Sequence, residues 1–183
     1  MNKQKISIRD LCFIALMVAV VTVLAQLTVP MPLGVPLSLQ TFAVMLTGII
    51  LGAKRAAIAL IVYLLLGAVG IQVFVQFGSG FQRIIGPWGG YLMSYPFVAF
   101  IIGFGADTGK KHWLAVCLAA GALVNLSMGT LWHSFQNEGG LAVSFAACFM
   151  PFVIPEVIKI IMAFSVGLPV RYALKRIKEK GTV

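Results

Sequence analysis

Two ionisable residues stand three apart in the last apolar stretch of the chain, Pro151-Phe-Val-Ile-Pro-Glu156-Val-Ile-Lys159. On a helix this spacing turns both side chains roughly the same way. One is a hydrogen-bond acceptor and the other a donor, and most of their neighbours are Ile, Val, Phe, Met or Ala. Ionisable groups in such surroundings are expensive, so they usually face a cavity or each other and mark a functional site. Two readings follow: a polar pocket for a small ligand, or an ion pair that locks helices together. Pro155 removes a backbone donor and pushes Ile154 towards an extended conformation, so a helix is predicted to start or bend near 151–155. Glu156 would then sit in its first turn, where negative charge is favoured.

Four more residues are candidates for the same pocket. Gln72 ends the third apolar segment, Arg83 lies in the loop that follows, and Trp88 and Tyr91 flank the start of the fourth. An acid and a base with amides and aromatics suit a small polar ligand bearing a carboxylate and hydrogen-bonding groups. Arg83 reads equally as a solvated loop charge, and Trp88 and Tyr91 equally as interfacial anchors. Asn125 has Gly121 and Gly129 four residues to either side. That pattern favours close helix packing with an interhelical hydrogen bond, with ligand contact as the alternative. Ala15 and Ala19 form a small-xxx-small pair on the first helix. Spacing alone favours packing within the chain over docking of a partner.

Enzyme signatures are absent. There is no nucleophile elbow, no His-Glu-x-x-His and no Rossmann glycine pattern. Gly109-Lys110 is followed by Lys111 rather than Ser or Thr, and Phe104 occupies the first P-loop glycine position. If transport here runs on ATP, another chain must supply the ATPase. Cys12, Cys117 and Cys148 lie singly in apolar stretches, so they read as buried, inert thiols without disulfide or metal spacing. His112 and His133 lie at opposite ends of a segment. Neither a metal nor a cofactor is expected.

These residues are positioned by a membrane protein. Of 183 residues, 60% are hydrophobic and 10% are charged, against about 25% charged in a soluble domain. The net charge of +9 does not imply nucleic acid, because the basic residues cluster between apolar segments. Six segments are predicted in one membrane domain: about 7–29, 39–52, 56–71, 89–106, 112–132 and 141–170, the last broken near 151–155. A basic tail, 171–183, follows. Lys3, Lys5 and Arg9 before the first apolar run resemble a signal peptide, but the run continues to Val29 with no convincing cleavage site, so it is read as a retained helix. With six spans both termini share one side. Of the 14 Lys and Arg, all but Arg83 and Lys159 fall on it, which makes it cytoplasmic. Loops 30–38, 72–88 and 133–140 are then outside, 30–38 as a possible lid, and Glu156 lies near the outer surface. No internal repeat suggests a self-contained carrier.

Four motifs carry a family resemblance: Pro32-Leu-Gly-Val-Pro-Leu-Ser-Leu-Gln-Thr-Phe-Ala-Val-Met-Leu-Thr-Gly, Leu-Gly-Ala-Lys-Arg, Tyr63-Leu-Leu-Leu-Gly-Ala-Val-Gly and Gly86-Pro-Trp-Gly-Gly-Tyr91. The chain resembles the biotin-specific S-components, the BioY family, of energy-coupling factor (ECF) transporters. The resemblance implies an all-α bundle of six transmembrane helices that captures biotin from outside. It also implies a transmembrane coupling protein and two cytoplasmic ATPases as partners. It assigns the acid-x-x-Lys pattern, Glu156 and Lys159, to ligand binding, and the Ala15/Ala19 face to the coupling protein. Three side chains are larger than the family pattern: Glu156 for Asp, Gln72 for a shorter Pro or Asn, and Trp88 for Thr. The alternatives are an S-component for a related carboxylated cofactor such as lipoate, or a structural membrane scaffold.

Overall fold

The computed structural model describes residues 7–29, 37–137 and 139–180. The chain is an all-α membrane protein. Its elements in order are α1 (Ile8–Gln26), β1 (Thr28–Val29), β2 (Leu37–Ser38), α2 (Gln40–Leu51), α3 (Ala53–Val69), a 3-10 turn (Val75–Phe77), α4 (Phe81–Ile85), α5 (Gly89–Asp107), α6 (Lys111–Gln136), α7 (Gly140–Cys148) and α8 (Met150–Lys180). Four helical stretches are long and apolar enough to cross a membrane: Ile8–Gln26, Gly89–Asp107, Lys111–Gln136 and Gly140–Ile177.

In lipid, outward apolar side chains need no shelter, and the bundle is held by close packing and interior hydrogen bonds. The distribution here follows that rule. Val69, Phe135, Ile154 and Val23 face outward, while Gln40, Thr47, Ser94, Asn125, Glu156 and Lys159 are buried. The short α2 forms the centre, with every residue from Phe42 to Ile49 buried. It packs against α5, α8, α1 and α3, and α5 packs most extensively along α6.

Local chemistry sets the element ends. Gly52 joins α2 to α3 at φ 77°, and a Cβ there would meet the Asp107 carboxylate at 2.5 Å. That carboxylate accepts from the Ala53 N–H at 3.0 Å and pairs with Arg171 at 2.7 Å, tying α3, α5 and α8 together at one end. At the same end Asp10 of α1 pairs with Arg55 of α3 at 3.1 Å.

Four expectations are corrected. The break in the last apolar region falls at Phe149 rather than 151–155: Phe149 has φ −107° and ψ −60°, and α8 runs unbroken through Pro155. Pro151 lacks the N–H that would have continued α7, yet it fits the first turn of α8, where that donor has no partner anyway. The basic tail is helical to Lys180. The 133–140 loop is shorter than expected, because α6 continues to Gln136; the Gln136 amide donates to Ile85 O at 2.6 Å and so fixes that end to α4. Cys12 is exposed, whereas Cys117 and Cys148 are buried. The 30–38 lid lies outside the described residues, except that Leu37–Ser38 pairs antiparallel with Thr28–Val29.

Candidate functional site

A cavity of about 160 Å³ opens at the end of the bundle where α8 begins. Its walls come from the start of α2, the 74–76 turn, α4, the first half of α5, α6 and α8. Five of the six pocket residues named from sequence line it: Glu156, Lys159, Arg83, Trp88 and Tyr91. Gln72 is exposed and is not among the lining residues; Gln76, four residues on, lines the cavity instead.

The polar centre is a triangle. Lys159 Nζ donates to Thr41 Oγ1 at 2.8 Å and to Glu156 Oε2 at 3.3 Å, and the Thr41 hydroxyl lies 3.3 Å from the same Oε2. Lys159 and Glu156 are 5% and 3% exposed. An isolated charge at that depth would cost several kcal/mol, so each requires the other. The ion pair lies within α8 and is tied to α2 through Thr41, and both of its residues line the cavity. Glu156 Oε1 is different, because it is buried and has no hydrogen-bond partner among the described residues. A buried acceptor left unmet costs about 1–3 kcal/mol, which a ligand N–H would recover.

Beneath the triangle lies a relay of buried polar groups. The Gln40 amide donates to Tyr63 OH at 2.7 Å and accepts from Tyr95 OH at 3.0 Å, and Tyr63 OH donates to Val73 O at 2.7 Å. Tyr91 OH donates to Cys148 O at 2.7 Å, bracing α5 against the end of α7. Asn125 Oδ1 accepts from Ser94 Oγ at 2.7 Å across α5 and α6. That is the interhelical bond its spacing predicts, and Asn125 lines the cavity as well. Trp88 stacks on His133 with ring centroids 4.8 Å apart.

The quoted motifs have steric reasons. A Cβ on Gly67 would lie 2.0 Å from the Phe74 ring, so the glycine admits the ring that forms the cavity edge. A Cβ on Gly89 would lie 1.7 Å from Ile84 O, and one on Gly90 2.3 Å from Trp132 Cβ, so these glycines seat the start of α5 against α4 and α6. Sequence reasoning missed Gln40, Thr41, Tyr95 and Gln76 as lining residues. Gln40 and Thr41 stood inside a quoted motif, and an amide and a hydroxyl opening a buried helix were the available signal.

The model of the BioY family matches residues 1–176. The chain belongs to the BioY family. It is 36% identical over 151 residues to a probable biotin transporter BioY of Pyrococcus horikoshii, covering 82% of this chain and 89% of that one. It is 35% identical over 173 residues to the biotin transporter BioY2 of Lactococcus lactis, covering 93% and 94%. Among solved structures, the S-component for biotin from an ECF-type ABC transporter superposes with a TM-score of 0.81 at 28% identity, covering 96% of this chain and 94% of that one. The BioY assignment thus spans the whole bundle, including every element that lines the cavity.

Ala15 and Ala19 are both exposed on α1. Packing within the chain, which spacing alone favoured, does not occur at this BioY face.

Proposed function

We propose that this protein is the biotin-binding S-component of an ECF transporter, a transport subunit rather than an enzyme. The observation that carries the reading is the buried, unmet Oε1 of Glu156, a residue of the cavity wall. It calls for a ligand N–H. The ureido ring of biotin supplies two, whereas the dithiolane of lipoate supplies none. The cavity also carries one carboxylate, Glu156, against two cations, Lys159 and Arg83. Lys159 is engaged by Glu156 and Thr41, and Arg83 has no ion-pair partner among the described residues. Arg83 is therefore the cation free to meet the biotin carboxylate near the mouth, with Trp88, Tyr91, Leu92 and Phe152 around the apolar parts of the ligand. Gln72, exposed, has no part in this arrangement.

The exposed Ala15/Ala19 face suits close approach of a helix of the coupling protein, which would in turn engage two cytoplasmic ATPases. The basic helix ends support a cytoplasmic side for both termini by the positive-inside rule, with the cavity opening outward. Release inward then requires the subunit to reorient within its complex. Calorimetric titration of the purified protein with biotin and with lipoate tests the ligand: micromolar or tighter biotin binding with weaker lipoate binding is expected, and the reverse order would overturn the assignment. Cysteine substitutions at Gln82 and Lys110, placed in a background lacking the native cysteines, test the topology. Gln82→Cys should label from outside the cell and Lys110→Cys only after permeabilisation.

A further inference from the structure

A second cavity, about 420 Å³, lies at the opposite end of the bundle. Arg171 on its wall is 15 residues beyond Glu156 along α8, a rise of about 22 Å. The polar wall is formed by Arg9, Asp10, Arg55, Asp107, Arg171 and Lys175. Both carboxylates are already paired, Asp10 with Arg55 at 3.1 Å and Asp107 with Arg171 at 2.7 Å. Arg171 also donates to Ile49 O. Arg9 and Lys175 have no acidic partner among the described residues, and the lining these residues give the cavity counts four cations against two anions. Phe13, Ile50, Leu51, Leu174 and Ile177 supply the rest of the lining. On α8 Arg171, Leu174 and Lys175 share one face, and Ile177 follows Leu174 one turn on. Ile177 is 67% exposed beside them, so the apolar wall opens to the surface of the bundle.

We propose that this cavity binds the headgroup of an anionic membrane phospholipid. Arg9 and Lys175 hold the phosphate, and an acyl chain lies along Phe13, Leu174 and Ile177. A soluble phosphate compound would use the same cations but has no need of the apolar wall. Basic pockets between helices at the membrane surface suit lipid headgroups; Arg9, Asp10, Arg55 and Asp107 sit at helix ends, and Arg171 and Lys175 lie within the last ten residues of α8.

Native mass spectrometry of the full chain in detergent with equal phosphatidylglycerol and phosphatidylcholine tests this. One phosphatidylglycerol should be retained per protein in preference to phosphatidylcholine. The R9Q/K175Q variant should weaken that retention roughly 30-fold, and each single variant about 5-fold. Neither residue lines the ligand cavity, so unchanged biotin binding reports an intact fold, and the single variants serve if the double variant is unstable. Equal retention of the two lipids, or undiminished phosphatidylglycerol on the variants, overturns the proposal. Displacement of the lipid by millimolar inorganic phosphate or glycerol phosphate would assign the cavity to a soluble anion instead. Loss of partner subunits from R9Q/K175Q with lipid retention unchanged would assign it to an acidic protein segment.

Discussion

Lys159 Nζ lies 3.3 Å from Glu156 Oε2, while Oε1 of the same carboxylate is equally enclosed and has no partner among the described residues. One oxygen keeps the buried cation neutralised; under the proposed function the other is the acceptor for a ligand N–H. On that reading the ion pair orients the carboxylate before any ligand arrives, so little ordering would remain to be done on binding.

Replacing Glu156 by Gln should therefore do two things. The amide can still accept one hydrogen bond, but Lys159 becomes a buried cation without a counter-charge. Removing one partner of a buried charged pair typically costs about 3–5 kcal/mol of stability, so E156Q should melt at a lower temperature; losing a charged acceptor for the ligand N–H, about 1.5–3 kcal/mol, should weaken biotin binding about 10- to 100-fold. E156Q/K159M should recover much of the stability but not the affinity. Titration and thermal melting of the three proteins would check this. Recovery of binding in the double variant would mean that the carboxylate does not contact the ligand.

Gln40 joins two phenols from different helices and is 2% exposed. Q40L keeps the volume and strands the hydroxyl of Tyr95, while Tyr63 retains its bond to Val73 O. An unmet buried hydroxyl costs about 1–3 kcal/mol. The variant should show that loss in stability and a smaller loss in affinity, since Gln40 lines the cavity next to Thr41. Adding Y95F should restore most of the stability, which a melting series across Q40L, Y95F and the pair would reveal.

Gly129 sits where a Cβ would lie 2.3 Å from the Tyr91 ring. The ring cannot retreat freely because its hydroxyl is anchored on Cys148 O at 2.7 Å. G129A should push Tyr91 into the cavity and weaken biotin binding, at a stability cost of about 1–3 kcal/mol for overpacking. G129A with Y91F, which releases the anchor, should bind better than G129A alone.

The spacing of Glu156 and Lys159, the apolar segments and the glycine-rich motifs were legible because each follows from local rules: helical period, the expense of charge in an apolar run, and steric need. Gln72 was misplaced because the chain after α3 turns back sharply. Gly70 at φ 112° ends the helix, and the 74–78 turn then brings Gln76, itself exposed, to the cavity rim while Gln72 stays away from it. Nothing at positions 71–78 announces that two consecutive non-glycine residues adopt the left-handed region. The Phe149 break was read too late by a few residues because a proline signals a missing donor but not which carbonyl loses it. Asn125 shows the opposite case, since its spacing gave the helix contact and left open the ligand contact that depends on α8.

That left-handed turn is the last place where the fold makes a specific claim. Gln76 has φ 57° and Phe77 φ 53°, conformations that cost about 1–3 kcal/mol each outside glycine. Gln26, the final residue of α1, holds them. Its amide donates to Phe74 O at 3.0 Å and its carbonyl oxygen accepts from the Phe77 N–H at 2.8 Å. Val75 and Gln76 between those contacts line the cavity. Q26A removes both contacts and lets the turn relax away from the ligand. Biotin should dissociate about 5- to 30-fold faster, equivalent to one to two hydrogen bonds, while the melting temperature changes little because the turn lies at the rim of the core. Q26E keeps the acceptor and loses the donor, so its dissociation rate should fall between the two. Stopped-flow displacement of biotin, together with limited proteolysis at 74–78, reads both effects. An unchanged dissociation rate in Q26A would show that the turn holds its shape without α1.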